Sequence, residues 1–295
     1  MSTPIRARYA LFVHYDGRPF HGWQLQKRHR SVQGELERVL HQLTGARRPV
    51  VGSGRTDSGV HAVGQVAAVD LPAPRWETPE LRAGMNALLP PEIWVEEARR
   101  VPADFHPRYD ARLRSYMYRV GTAHQAGSPF HRRWCWDRSR ESPTPDPELL
   151  DRAAALVVGD RSFKRFAKAG QAHRGYRCQV TRAEWREWGS LGHEFRITAN
   201  RYLHHMVRYL VGTMMEVATG GRPPGEMAQM LEDPDTSLRT SAPAPPEGLF
   251  LHRVEYEPGR LGDHEDRDPP AGTDVGSRTH PHSSETPHSS ETMES

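Results

Sequence analysis

The segment GSGRTDSGVHA, residues 52–62, places one carboxylate, one arginine and one histidine among three glycines. A phosphate-binding P-loop needs Gly-Lys-Ser/Thr at its end, whereas here Gly54 is followed by Arg-Thr and then by Asp57, whose carboxylate would repel phosphate. The segment fits a nucleophile or base better, because glycines allow tight turns and the close approach of a substrate. We expect Arg55 to pair with Asp57 and keep it ionised. The alternative is an ordinary turn aspartate beside a surface arginine.

A second set of candidate residues lies in the predicted strand Asp110–Gly121. Because side chains alternate along a strand, one face is expected to carry cations for phosphates and rings for stacking, as nucleic-acid-binding surfaces do. The alternative is a solvated strand face with the tyrosines packed against a neighbour. This face comprises Arg112, Arg114, Tyr116 and Tyr118, and the opposite face, predicted to point to the core, comprises Ala111, Leu113, Ser115 and Met117.

A helix predicted over Asn200–Thr219 carries polar side chains opposite its apolar stripe. His204 and His205 are not expected to bind a metal, because adjacent helical residues do not face one point and neither an HExxH motif nor an acidic partner accompanies them. We expect them to pack or to face RNA. The polar flank comprises Arg201, His204, His205 and Arg208, and the segment YDGRPFHGWQLQK adds His21, Gln24, Gln26 and Lys27 as candidate RNA contacts, with Trp23 in the core.

Charge indicates a polyanionic partner. The chain has 295 residues, 40 Lys+Arg and 37 Asp+Glu, but only 3 of the basic and 8 of the acidic residues lie from Gly259 onward, which leaves a net charge of +8 before it. A basic body favours partners such as nucleic acid. The polar tail, residues 259–295, repeats PHSSET and is predicted to be disordered, because it cannot bury enough apolar surface to offset its ordering entropy.

Composition excludes several other classes. No apolar run approaches the ~20 residues of a membrane span, and the first residues lack the apolar region of a signal peptide. The two cysteines, Cys135 and Cys178, do not form a CxxC pair, so neither a disulfide framework nor a cysteine zinc site is expected. We therefore expect a cytoplasmic protein.

Strand and helix patterns alternate through the chain and predict an α+β fold with a largely antiparallel sheet. We expect two similar α/β halves, residues 1–141 and 142–258, joined by the linker SPTPDP. The predicted strands are Ile5–Tyr15, Pro49–Val51, Val63–Asp70, Ile93–Val101, Asp110–Gly121, Tyr176–Trp188, His193–Thr198 and Leu249–Tyr256. The predicted helices are one capped by Ser31 and stopped at Gly45, Pro79–Leu89, one ending at Val158, and Asn200–Thr219.

GRTDSGVHA resembles the signature loop of the tRNA pseudouridine synthase A family. Further motifs of that family occur in the same order, so the resemblance extends over about residues 6–257. These motifs are YDGRPFHGWQ, VHAVGQVA, NALLP, DFHPRYDARLRSYMYRV, NRYLHHMVRYLVGTMMEV and APAPPEGLFLHRVEY.

The resemblance implies roles for four residues. Asp57 matches the catalytic aspartate, Tyr116 the substrate-contacting tyrosine, Arg55 the arginine that pairs with the aspartate and helps displace the target base, and Arg208 a second active-site arginine. It also implies the pseudouridine synthase fold, with two halves around a basic cleft. The implied partner is tRNA, gripped by a homodimer and modified at uridines 38 to 40 of the anticodon stem-loop.

Isomerising uridine to pseudouridine breaks the N1–C1′ bond and joins C5 to C1′ without redox change or loss of a group, so no cofactor or metal is expected. One carboxylate suffices, either by adding to the base or by trapping the sugar, and the sequence leaves both paths open. Two other functions compete. A non-catalytic RNA-binding or chaperone protein would bind tRNA independently of Asp57, and a nucleosidase would release free base, although glycoside hydrolysis generally needs two carboxylates.

Overall fold

The computed structural model describes residues 6–72, 76–168, 170 and 175–261, which form a ten-stranded sheet and five α-helices. The strands are β1 (Arg6–Tyr15), β2 (Val51–Gly52), β3 (His61–Pro72), β4 (Ile93–Val101), β5 (Leu113–Gly121), β6 (Trp136–Asp137), β7 (Gly159–Ser162), β8 (Arg177–Trp188), β9 (Gly192–Ala199) and β10 (Leu249–Glu255). The helices are α1 (Val32–Thr44), α2 (Thr78–Leu88), α3 (Pro147–Leu156), α4 (Met206–Ala218) and α5 (Pro224–Glu232).

The sheet confirms the predicted largely antiparallel α+β fold. Its strand order is β4-β1-β3-β10-β5-β9-β8-β7, with β2 added to β3 and β6 added to β5. All pairs are antiparallel except β10 with β3 and β5 with β6. The last strand, β10, lies between β3 and β5, so one sheet runs through both predicted halves. Their boundary at residue 141 stays a prediction.

Helix α1 forms as its sequence predicts. The Ser31 hydroxyl accepts a hydrogen bond from the Gly34 amide at 3.3 Å, and Gly45 ends the helix with a left-handed φ of 70°. This pairing of a serine N-cap with a glycine C-cap satisfies backbone groups that the helix leaves open. The apolar face, Val32, Leu36, Val39 and Leu40, is buried.

Helix α4 differs from its prediction at the N-terminus. It begins at Met206 and not at Asn200, because His205 adopts a left-handed backbone with φ 62° and ψ 6° that interrupts the helix. The apolar stripe is nonetheless buried as predicted, so α4 is a core helix. This stripe is Leu203, Met206, Val207, Leu210, Val211 and Met214.

Helix α5 and the short strands β6 and β7 were not predicted. The sequence PGEMAQMLE begins with Pro-Gly, a pattern typical of turns, yet proline is compatible with the first helical positions. Its Met227, Met230 and Leu231 are buried. The residues that follow Pro-Gly are glutamate, methionine, alanine, glutamine and leucine, all good helix formers, so both propensity and packing stabilise α5.

The predicted disordered tail, 259–295, lies outside the described residues from position 262 onward. Just before that point, the Arg260 guanidinium donates hydrogen bonds to Asp104 and Asp110 and fastens the end of the described chain to the body. Among the described residues, no helix combines the length and apolar composition required to cross a bilayer.

Candidate active site

The loop between β2 and β3, residues 53–60, is here called the Asp57 loop. The side chain of Gln65 on β3 holds this loop. The Ser53 hydroxyl donates to the Gln65 side chain at 2.7 Å, and the Gln65 amide donates to the Gly54 carbonyl at 3.0 Å. The Thr56 and Tyr15 hydroxyls are hydrogen-bonded at 2.8 Å and are buried. These bonds fix the backbone that leads into Asp57.

Two glycines allow other segments of the protein to pack closely against the Asp57 loop. A Cβ on Gly22 would lie 2.6 Å from the Thr56 carbonyl oxygen, and a Cβ on Gly59 would lie 2.9 Å from the Pro246 ring, with φ at 88° and 80° respectively. Gly22 thus lets the neighbouring segment pass against the Asp57 loop, where the Trp23 amide donates to the Thr56 carbonyl at 3.1 Å. The sequence predicts that glycines of this loop let a substrate approach closely. At Gly59, the group that approaches closely is the Pro246 ring.

Asp57 faces three side chains from the turn before α4 and from the first turn of α4. Its Oδ1 lies 3.2 Å from His204 Nε2, and its Oδ2 lies 3.4 Å from His205 Nε2 and 3.9 Å from Arg208 Nη1. The Asp57 side chain keeps 24% of its surface exposed. The carboxylate is therefore partly accessible to a substrate and faces the nitrogen atoms of three side chains.

The expected pairing of Arg55 with Asp57 is wrong. Arg55 is exposed, and within the described ranges it forms no ion pair with Asp57. The reason is local, since Thr56 turns inward to Tyr15 and leaves Arg55 on the outer surface of the loop. The cation that does face the carboxylate is Arg208, whose Nε also donates to the Ala244 carbonyl at 2.6 Å.

The expectation that the two histidines have no acidic partner is also wrong, because Asp57 is that partner. Asp57, His204 and His205 place one ligand atom each within 4.8 Å of one another, the only such group that could hold a metal ion in the portion of the chain described here. The cation of Arg208 beside the same carboxylate opposes a second positive charge at this point. That no metal takes part stays a prediction.

Tyr116 is largely buried and is influenced by the charge of Asp57. It keeps 9% of its surface exposed, and its ring meets Tyr202 edge-on with centroids 4.8 Å apart. Burial raises the pKa of the Tyr116 hydroxyl to about 12, and the charge of Asp57 acts in the same direction. The hydroxyl therefore stays protonated at neutral pH.

The rest of the predicted arginine–tyrosine face of β5 is not an open RNA surface. Tyr118 is fully buried and donates to the Pro245 carbonyl at 2.7 Å, because the turn before β10 packs over it. Arg112, which precedes β5, is exposed and pairs with Glu257 at 3.0 Å. Alternation along a strand separates its two faces but does not say which neighbours cover them, and here Tyr116 and Tyr118 are buried.

Arg114 braces the Asp57 loop. Its Nη2 donates to the Ser53 carbonyl at 2.8 Å and to the Arg108 carbonyl at 2.9 Å, and its Nη1 donates to the Asn200 carbonyl at 3.4 Å. Burial lowers the pKa of this guanidinium. Arg114 thus ties the loop that carries Asp57 to the segment that leads into His204 and His205.

An exposed basic loop, residues 24–30, starts next to the Asp57 loop. Trp23 is buried, as predicted, whereas every residue from 24 to 30 is exposed, including Lys27 and Arg28. The rings of His21 and His29 stack at 4.2 Å across its base. The predicted RNA contacts His21, Gln24, Gln26 and Lys27 are therefore all on the surface.

An antiparallel-sheet protein with one accessible carboxylate, a converging set of nitrogen donors and an exposed basic loop has the features of an enzyme that acts on nucleic acid. A family model described as tRNA pseudouridine synthase matches residues 11–110 and 153–257. The chain belongs to this family, and the predicted isomerase acting on tRNA is confirmed at the level of the family.

Curated relatives are similar to this chain over most of its length and over nearly all of their own. The tRNA pseudouridine synthase A of Syntrophomonas wolfei is 34% identical over 85% of this chain and 98% of its own. The proteins of the same name from Halalkalibacterium halodurans and Solidesulfovibrio magneticus are 37% and 38% identical, over 89% and 87% of this chain and 97% and 94% of their own.

Proposed function

We propose that this protein converts uridines 38 to 40 of the tRNA anticodon stem-loop to pseudouridine, with Asp57 as the catalytic group. The observation that carries this proposal is the accessible Asp57 carboxylate, held on a braced loop with each oxygen facing a histidine. The named relatives are tRNA pseudouridine synthases A, which supports the choice of RNA. We further propose that the enzyme works in the cytoplasm as a homodimer.

The reaction balances without any added group. The N1–C1′ bond of the uridine breaks, the base turns, C5 bonds to C1′, the proton leaves C5, and N1 gains a proton. Asp57 acts as a nucleophile, either on C1′ of the sugar or on C6 of the base, and departs before the product is released. His204, His205 and Arg208 surround the carboxylate and keep it oriented toward the open side of the site.

The target uridine must leave its stacked position, at a cost of about a few kcal/mol. Arg55 lies exposed at the outer surface of the Asp57 loop, where it is available to fill the space that the base vacates. The basic loop 24–30, which starts beside the Asp57 loop, would hold the phosphate backbone next to the site. Binding through such contacts is salt-dependent.

Substrate position tests the proposal directly. Unmodified tRNA and its isolated anticodon stem-loop, each with tritium at C5 of uridine, should both release tritium. Versions with cytidine at positions 38, 39 and 40 should release none. Release that persists from the cytidine versions would contradict the assigned positions, while leaving the isomerase activity intact.

Tyr116→Phe tests the role of the hydroxyl near Asp57. Because its pKa is raised to about 12, the hydroxyl is protonated at neutral pH and can accept the C5 proton only if it passes its own proton on. We expect a fall in single-turnover rate on the order of 10²-fold, typical of a lost proton-transfer group, with tRNA affinity unchanged. Full turnover by the variant would rule out proton transfer through this hydroxyl.

A further inference from the structure

His205 has an unusual backbone. It is the one non-glycine residue with positive φ in the described part of the chain, at φ 62° and ψ 6°. Glycine is the default residue for such a conformation, and side chains found there often mark functional sites. Helix capping does not account for the choice, because the His205 side chain makes no capping hydrogen bond to α4.

The imidazole of His205 is aimed at the catalytic group. Its Nε2 lies 3.4 Å from Asp57 Oδ2, and its side chain keeps 19% of its surface exposed. The neighbouring His204 ring, 4.2 Å away between centroids, faces the other carboxylate oxygen. A helix extended through position 205 would turn the two adjacent side chains about 100° apart. The left-handed turn instead brings both rings to one carboxylate.

The surroundings of His205 favour its neutral form. Burial lowers the pKa of its imidazole, the charges of Arg208, His204 and Lys168 act in the same direction, and only Asp57 opposes them. A neutral imidazole protonated on Nε2 can orient the carboxylate by donation without forming a full ion pair. The charge on the carboxylate thus stays available for attack on uridine.

We propose that His205 is a positioning residue, and that the left-handed turn before α4 serves to aim its Nε2 at Asp57 Oδ2. The carboxylate then presents a fixed edge to the uridine, while Arg208 supplies the positive charge on the same side. This role rests on the proposed function of Asp57. At position 205 the left-handed backbone favours glycine, whereas the proposed role requires a side chain that can donate to Asp57.

Two substitutions exploit this difference. His205→Gly relieves the backbone and removes the donor, so we expect a melting temperature equal to or above that of the wild type. We also expect a single-turnover rate lower on the order of 10²-fold, as for a misplaced catalytic group. His205→Gln keeps the strained φ but restores an amide donor at similar reach, so it should be less stable than His205→Gly and faster. Affinity for tRNA should be the same in both variants.

His41→Gln is the matched control, since His41 is an exposed histidine in the last turn of α1 and should alter neither property. The proposal would be overturned by His205→Gly turning over like wild type, by His205→Gln being no faster than His205→Gly, or by a loss of tRNA affinity that accounts for the slower rate. Asp57→Asn is measured in parallel. Activity retained by that variant would refute the proposed catalytic role of Asp57, a result distinct from any of these three.

Discussion

Replacing Asp57 with asparagine is expected to abolish pseudouridine formation while leaving the RNA bound. Asparagine keeps the size of the side chain but loses the charge and the nucleophilic oxygen. Loss of such a group lowers the rate on the order of 10⁴-fold or more. The Asp57 loop is held by the side chains of Gln65 and Arg114 and not by the Asp57 carboxylate, so it should keep its place in the variant. Single-turnover tritium release and a filter-binding assay measure the two effects separately.

Asp70→Asn is the control for this change. Asp70 lies on β3, pairs with Arg8 at 2.9 Å and is 44% exposed at the side chain, so the same chemical substitution there should leave turnover within about twofold of the wild type. Turnover by Asp57→Asn above a tenth of the wild-type rate would contradict the assignment of the chemistry to Asp57.

Arg114→Met is expected to cause the largest loss of stability among the variants considered. It removes the donor for the carbonyls of Ser53, Arg108 and Asn200 and retains much of the apolar stem. The bond to the Ser53 carbonyl is partly buried, whereas the bonds to Arg108 and Asn200 are exposed and can be replaced by water. Leaving the Ser53 carbonyl unsatisfied should lower the free energy of unfolding by about 1–3 kcal/mol. Chemical denaturation followed by tryptophan fluorescence measures this loss.

Arg112→Met is the matched variant, because Arg112 is exposed and its ion pair with Glu257 is on the surface. It should change the free energy of unfolding by less than about 0.5 kcal/mol. If Arg114 were instead a phosphate contact, Arg114→Met would leave stability intact and reduce the salt dependence of tRNA binding. That outcome would contradict the bracing role.

Local signals predicted much of the fold. Ser31 and Gly45 delimit α1, and the apolar pattern gives β4 at Ile93–Val101 with both ends correct. The start of α4 was wrong because a left-handed histidine leaves no trace in apolar spacing. The exposed face of β5 was wrong because alternation does not say what will cover each side, and here the turn before β10 covers Tyr118.

The site was predictable only in part, because contacts between distant segments leave no local pattern in the sequence. The signature loop pointed to Asp57, and the resemblance pointed to Arg208, which the structure brings near it. The partners of the carboxylate depend on contacts between segments far apart in sequence. Proximity along the chain therefore favours Arg55 as the partner of Asp57, although the structure places His204 and His205 there. The one signal in the sequence for these partners is the pair of adjacent histidines itself.

The most direct test of the account is the product made from unmodified tRNA that carries tritium at C5 of uridine, incubated with wild-type protein and with Asp57→Asn. We expect tritium release and pseudouridine at positions 38 to 40 for the wild type, neither for the variant, and no free uracil for either protein. Free uracil would identify a nucleosidase. Tight tRNA binding by both proteins without any product would contradict catalysis and identify a binding protein.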